Sequence, residues 1–392
     1  MFFTYDTKIK QIGGIGDHIC IPNVYGTFDS FDKCQATKNP IDATDRAVLG
    51  PTTFYLPDIQ LIIQKLDQSK PNPTPSYVTQ PQFRLWPPGD PGHKLIIDNF
   101  GRSLKDNAAK RSEVLKKPNG LQRIKRREIL IETLRKFQAP SDGLYYHKIA
   151  RDNLMKWAIN PPFKSTSTCV VNVVELDWGV ATQIYTKQYG KCFAVLNMAN
   201  GTYQGGGYTS GAAAQEENMF RRTDCHFSLN RGSKYTQQES NRINGVHGLV
   251  YLDTNKARVC IRGPENIKDT HNLGYTFLDH EEIFPFYELR AAAVDLSNKE
   301  QGMSVKIYET ETRKRIAAQL DTLINAGIRH VVLSAFGCGA FENPPEFVAK
   351  VYYEALNIRR GDFDIVVFAI FYAGNGLRNY DIFAKEFTKW QI

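Results

Sequence analysis

The chain has 392 residues, 42% hydrophobic and 23% charged, a composition expected of a soluble globular protein with one large domain or two unequal ones. Its longest strongly apolar run, residues 365–373, is far short of the roughly 20 residues that a membrane-spanning helix needs. The formal net charge of +8 has a local origin, because residues 101–136 carry 12 Lys and Arg against 4 Asp and Glu.

Residues 1–95 have a texture of their own and read as an N-terminal extension or arm without a recognisable motif. Part of 54–66 has a helical pattern. Pro71, Pro73, Pro75, Pro81, Pro87, Pro88 and Pro91 then crowd a stretch that can be neither helix interior nor central strand, so 69–92 is expected to be a linker. A basic connecting segment follows over 96–120. The next helix, 121–137, has Leu121, Ile124, Ile131 and Leu134 at helical spacing under its charges, which therefore read as a solvated face. No aromatic residues interleave with those charges, and nucleic acid is not an expected partner.

From there strands and helices alternate. Strand 168–176 precedes helix 179–189, and a short buried strand at 192–197 runs into a glycine-rich loop. Strands are expected at 249–252, 258–261 and 287–292, then a long helix over 308–326. Strand 330–335 ends at Gly337-Cys338-Gly339, and helix 345–356 with strand 363–371 completes the series. The alternation implies a mostly parallel sheet covered on both faces, with ligands bound where glycine-rich turns follow strand ends. Seven cysteines are scattered without a C-x-x-C pair, and several lie in apolar runs. That usage points to a reducing, intracellular compartment and away from a zinc site. The residues after Met1 lack the apolar core of a secretory signal, although export into another cell without a cleavable signal would leave the same pattern.

The chemistry concentrates in Gly205-Gly206-Gly207-Tyr208-Thr209-Ser210-Gly211-Ala212-Ala213-Ala214-Gln215-Glu216-Glu217. Three consecutive glycines permit positive φ and let backbone amides approach a ligand closely, and the alanines suggest a loop running into a helix, a ready anion site. Two carboxylates beyond an anion cradle are what glycoside cleavage beside a diphosphate requires: one acid for the leaving group and a base for water. Consecutive helical residues point about 100° apart, so Glu216 and Glu217 are expected to serve the ligand differently. The dinucleotide pattern fails at Ser210, and no Lys-Ser/Thr follows to make a P-loop. Of the other polar clusters, Asp224-Cys225-His226 and His280-Glu281-Glu282 have no metal spacing and read as surface or capping residues. Arg221-Arg222 reads as phosphate-facing or salt-bridged.

The span from Val195 to Thr223, with its GGG…QEE core, resembles the signature of macrodomain-type poly(ADP-ribose) glycohydrolases, most closely their short microbial branch. Two further blocks are similar to that family: Val331-Val332-Leu333-Ser334-Ala335-Phe336-Gly337-Cys338-Gly339-Ala340-Phe341-Glu342-Asn343-Pro344-Pro345, and Val366-Val367-Phe368-Ala369-Ile370 with Asn379-Tyr380 and Phe383 after it. Residues 121–392 fall under the resemblance, and the first third lies outside it. It implies a macrodomain-like three-layer α/β/α fold with a mostly parallel mixed central sheet, carried by 121–392 and preceded by the N-terminal extension.

Carried over by position, the resemblance implies that Asn200 bonds the distal ribose and that the amides of Gly205, Gly206 and Gly207 hold the diphosphate and that ribose. Gly337, Cys338 and Gly339 form the opposing diphosphate loop, with Ala340, Phe341 and Gln215 among the ligand contacts. Asp177 accepts the adenine amino group, and Phe371 or Tyr372 supplies an aromatic contact there. Glu217 is the catalytic glutamate, and Glu216 is its neighbour at the scissile ribose. The implied activity is metal-independent and cofactor-free: hydrolysis of the glycosidic bond between ADP-ribose and a protein side chain, arginine among the candidates, or between ADP-ribose units. The alternative is a non-catalytic ADP-ribose reader, since fold alone does not separate binding from cleavage. A reader has no evident need of Gln215-Glu216-Glu217. A metal-dependent nucleotide hydrolase fits less well, for want of a clustered Asp/His set.

Overall fold

The computed structural model describes two short strands at 46–49 and 52–55 and, from Gly120 onward, every residue except 141–143, 164–168, 230–240, 242–243, 256, 270, 298–302, 372–377 and 392. The chain divides into two units, Met1–Ser76 and Tyr77–Ile392. In the first, β1 (Arg46–Leu49) pairs antiparallel with β2 (Thr52–Tyr55). Phe54 and Tyr55 are therefore strand, not the helix their pattern suggested. The rest of that expected helix, the proline-rich segment and the basic connector up to 119 lie outside the described residues.

The second unit runs α1 (Gly120–Gln138), α2 (Tyr145–Ile159), β3 (Val170–Val174), α3 (Trp178–Tyr189), β4 (Ala194–Met198), α4 (Gln215–Arg222), β5 (Tyr251–Leu252) and β6 (Arg258–Cys260). It continues with β7 (Phe284–Ala291), α5 (Val305–Asn325), β8 (His330–Leu333), α6 (Pro345–Asn357), β9 (Ile365–Ala369) and α7 (Asn379–Phe387). The sheet order is β3-β9-β8-β4-β7-β5, with β6 also on β7. Pairings from β3 through β7 are parallel, while β5 and β6 run antiparallel to β7.

Strand alternation sorts the core into two layers. Ala194, Leu196, Val331, Leu333, Val366 and Phe368 pack with Ile316 and Leu320 of α5, Val348 and Tyr352 of α6 and Phe383 of α7. Val195, Val332, Ile365 and Val367 point the other way, toward Leu130 of α1, Ala150 of α2, Ala181 of α3 and Phe220 of α4. A side-chain period of two on strands buried on both faces requires helices on each side, which is the three-layer arrangement expected.

Several elements differ from the sequence reading for local reasons. Helix α2 was not anticipated; it buries Tyr146, Ala150 and Leu154, one helical face four residues apart. Strand β7 begins three residues earlier than expected, through Pro285, which lies opposite Val259 of β6 in antiparallel register. On α1, Ile124, Ile131 and Leu134 are buried as expected, but Leu121 is 42% exposed. The cluster Asp224-Cys225-His226 is not at the surface: all three are buried, with Asp224 bonded to His147 Nε2 and to the Val259 amide.

Candidate active site

The C-terminal ends of the parallel strands open into one cavity of about 360 Å³, within the range of small-molecule sites. Asp177 and Trp178 follow β3, Met198 to Asn200 end β4, Ala293 follows β7, Ser334 and Gly337 follow β8, and Ala369 and Phe371 end β9. The first turn of α4, Gln215 to Asn218, forms the inner wall.

Helix α4 starts later than its alanines suggested. Ala212, Ala213 and Ala214 approach it in non-helical conformation, and Ala214 stands at the N-cap with ψ 175°. What pins the start is Gln215. Its Oε1 accepts from the Met198 amide at 2.9 Å and its Nε2 donates to the Leu196 carbonyl at 2.9 Å. The glutamine thus prolongs the sheet ladder from the edge of β4 and seats the two glutamates that follow it.

Both glutamates are buried, Glu216 at 2% and Glu217 at 7% exposure, yet both line the cavity. Glu216 Oε2 accepts from the Asn200 amide at 2.8 Å, and its Oε1 accepts from the Gly205 amide and from Arg290, each at 3.1 Å. Burial pushes its carboxyl up to about 8, and the Arg290 guanidinium and then the Asn200 amide work against that rise. N–H donors face both oxygens, the geometry of a bound carboxylate. Glu217 Oε1 accepts from the Gly207 amide at 2.7 Å. Its Oε2 is buried with no hydrogen-bond partner among the described residues.

These bonds correct the expectation for the triple glycine. The amides of Gly205 and Gly207 are spent on Glu216 and Glu217, the Gly206 amide donates to the Tyr203 carbonyl at 2.9 Å, and none of the three glycines lines the cavity. Their role is steric and internal. Gly206 has φ 57°, and a Cβ there would stand 2.5 Å from Glu217 Oε1 and 2.9 Å from Glu216 Oε2. Both carboxylates lie against this one glycine but take different neighbouring amides, Gly205 for Glu216 and Gly207 for Glu217.

The opposing turn fits an anion better. Gly337 has φ 77°, and a Cβ there would meet Ala293 Cβ at 2.6 Å and Asn343 Nδ2 at 2.7 Å. Asn343 Nδ2 ties the turn together by donating to the carbonyls of Val294, Gly337 and Phe341. Among the described residues no backbone carbonyl accepts from the amides of Gly339, Ala340 or Phe341, and these three residues line the cavity. Amides without a backbone acceptor on a cavity wall are suited to an anion. Cys338 is a further correction: it does not line the cavity but packs against the core on the α5–α6 side.

Asp177 lies at the far end of the cavity and caps α3, with Oδ1 accepting from the Gly179 and Val180 amides. The same oxygen accepts from Arg222 NH1 at 2.6 Å, which settles Arg222 as ion-paired rather than phosphate-facing. Asn200 Oδ1 accepts from the Thr202 and Tyr203 amides, and the residue lines the cavity. Phe371 lines the mouth at 47% exposure; Tyr372 lies outside the described residues.

Sequence reasoning missed Trp178, Asn218, Glu265 and Ile267, which also line the cavity. Glu265 and Ile267 come from a loop without a motif, and Glu265 is held by Arg126 of α1 and by the Tyr275 hydroxyl. It also missed Arg290 and Glu288. The available signal was an opposite-charge pair two residues apart inside the apolar run of β7, on one face of the strand.

A carboxylate pair in a pocket at the C-terminal edge of a mostly parallel sheet is an arrangement that glycoside hydrolysis can use. Residues 119–253 match the family model described as microbial-type PARG, catalytic domain. That match covers about a third of the chain, and over it the chain is similar to the catalytic domain of microbial-type poly(ADP-ribose) glycohydrolases. No curated protein matches it.

Among solved structures, it is similar to the poly(ADP-ribose) glycohydrolase of Thermomonospora curvata, with 22% identity over 67% of this chain and 99% of that one and a TM-score of 0.49. The same enzyme bound to the inhibitor ADP-HPD gives a TM-score of 0.48 at 22% identity and the same coverage. The Deinococcus radiodurans enzyme in complex with ADP-ribose is 20% identical over 62% of this chain and 92% of that one, with a TM-score of 0.44. Among the described residues no helix is long and apolar enough to cross a membrane, and no group of three or more His, Cys, Asp or Glu side chains is arranged to hold a metal ion.

Proposed function

We propose that the chain removes ADP-ribose from a protein side chain or from the end of an ADP-ribose chain, with Glu217 as the catalytic acid and base. The observation that carries this reading is the asymmetry of Glu217: one oxygen is fixed by the Gly207 amide, while the other is buried and has no hydrogen-bond partner among the described residues, in a side chain that lines the cavity. Oε2 is the atom that protonates the leaving oxygen as the anomeric carbon gains oxocarbenium character, and the resulting carboxylate then takes a proton from the attacking water. The amides of Gly339, Ala340 and Phe341 hold the diphosphate, and the Asn200 side-chain amide donates to the distal ribose. Asp177 and Phe371 frame the adenine end, where the second oxygen of Asp177 accepts the exocyclic amine. Glu216 is committed to the loop and acts by holding it. The domain that does this is assigned to 121–392, and the N-terminal extension is assigned to partner recognition. The expected setting is a reducing compartment, in the producing cell or in one it is delivered into.

Glu217→Gln tests the assignment. The amide keeps the shape but neither donates a proton to the leaving group nor takes one from water. Release of labelled ADP-ribose from a modified protein and from poly(ADP-ribose) is expected to fall by at least about 100-fold, with ADP-ribose affinity within a few-fold of wild type. Loss of both together would make Glu217 a structural residue. A wild-type chain that binds ADP-ribose and releases none from either substrate would be a reader instead.

A further inference from the structure

Behind the carboxylate pair lies a line of buried charges that the reaction itself does not use. Arg290 of β7 donates through NH2 to Glu216 Oε1 at 3.1 Å and through NH1 to Glu288 Oε1 at 3.2 Å. Glu288 Oε1 also accepts from Asn197 Nδ2 at 2.7 Å, and Glu288 Oε2 faces Arg258 Nε at 3.4 Å. The side chains of Glu216, Arg290, Glu288 and Arg258 are 3% exposed or less. Arg290 sits opposite Asn197 of β4, beside strands whose other residues are apolar.

Ion pairs this deep seldom stabilise a fold better than well-packed apolar residues of similar volume, because desolvation offsets their attraction. The placement of Arg290 is therefore better explained by what it contacts at the cavity. Glu216 is the only member of the line that lines the cavity. Its two oxygens hold the Asn200 and Gly205 amides, and two residues beyond Gly205 in the same loop the Gly207 amide bonds to Glu217.

We propose that Arg290 is the positioning residue of this site: it fixes the Glu216 carboxylate, and through Glu216 and the 200–207 loop it aims Glu217 at the scissile bond. The inference rests on Glu217 being the catalytic acid. Arg290 touches neither substrate nor reacting atoms. It acts at second hand, so its loss should disturb turnover far more than binding. Glu288, clamped by Asn197 and Arg258, keeps the guanidinium from rotating away and is the second link in the same line.

The test is Arg290→Met and Arg290→Lys in the full chain, each first checked for cooperative thermal unfolding, on whichever of the two substrates wild type cleaves. Arg290→Met is expected to lower kcat by about 100-fold, the scale of an ångström-sized misplacement of a reacting group. KM and ADP-ribose affinity should stay within about threefold. Arg290→Lys, which restores a cation without the bidentate fork, should recover about tenfold of the lost kcat. A folded Arg290→Met that turns over within threefold of wild type overturns the proposal, as does one that loses kcat and ADP-ribose affinity together. Where Arg290→Met does not fold, Glu288→Gln carries the question: a kcat about tenfold lower with unchanged affinity supports the line of contacts, and an unchanged kcat overturns it. A full-rate Glu217→Gln is a separate result, which refutes the assignment of the acid and this inference with it.

Discussion

Gly206→Ala is the sharpest perturbation of this site, since it adds one carbon at the point where both glutamates converge. The backbone there has φ 57°, and an L-residue in that region costs roughly 1–2 kcal/mol. The new Cβ would stand 2.5 Å from Glu217 Oε1 and 2.9 Å from Glu216 Oε2, whereas relaxed carbon–oxygen contacts are wider by about 0.5–1 Å. Either the carboxylates retreat by that amount or the loop does, and both routes break the Gly207 amide bond to Glu217. Overpacking adds about 1–3 kcal/mol, so a total loss of about 2–5 kcal/mol in stability is expected. A displacement near 1 Å at a reacting group costs about 100-fold in rate. The assays are urea unfolding for stability, chromatographic quantitation of released ADP-ribose for kcat, and calorimetric titration with ADP-ribose for affinity. Affinity should change by no more than a few-fold, because the glycine amides are bonded within the protein and not to the ligand. An alanine variant with wild-type kcat would refute the reasoning. One that loses ADP-ribose binding outright would show that the loop amides face the diphosphate after all.

Asp177→Ala removes the α3 cap and leaves Arg222 as a buried cation whose carboxylate partner is gone. A loss of about 3 kcal/mol is expected in the urea midpoint, because the Asn218 side chain and the Arg262 carbonyl still accept from that guanidinium. Unchanged stability would make Asp177 a ligand residue only. His330, nine-tenths buried at the start of β8, is held by burial well below the usual imidazole value, at about 4, against the opposing pull of Asp364. Between pH 4 and 6.5 the unfolded chain then binds the extra proton, so stability rises with pH across that window, by at most about 3 kcal/mol from this group. His330→Gln should flatten that segment of the curve, and an unaltered slope would rule His330 out as its source.

The resemblance carried by the GGG…QEE segment led to the cavity wall without any coordinates. Gln215, Glu216 and Glu217 fall where a loop into a helix would put them, and the turn at 337–341 follows a strand end as its glycines implied. The three-layer sheet was equally legible, because β9 is an unbroken apolar run and β4 and β8 are apolar apart from Asn197 and His330, a pattern that burial on both faces accommodates. Helix α2 escaped notice because its buried face mixes Tyr146, His147, Ala150 and Leu154 and has no repeat of leucines. Glu265 escaped because nothing local to its loop marks it.

What the amino-acid order determined by itself was local: which segments are strands, where positive φ is needed, and which carboxylates stand side by side. Only the tertiary structure decided what the glycine amides do. A free N–H next to a buried carboxylate is satisfied by that carboxylate, so Gly205 and Gly207 turned inward to Glu216 and Glu217, and the cavity amides without a backbone acceptor are those of the opposite turn, Gly339, Ala340 and Phe341. Arg290 was likewise readable only as an odd charge in a strand until the β4–β7 pairing set it behind Glu216. Contacts between residues far apart in the chain depend on how layers pack, and no local pattern encodes them.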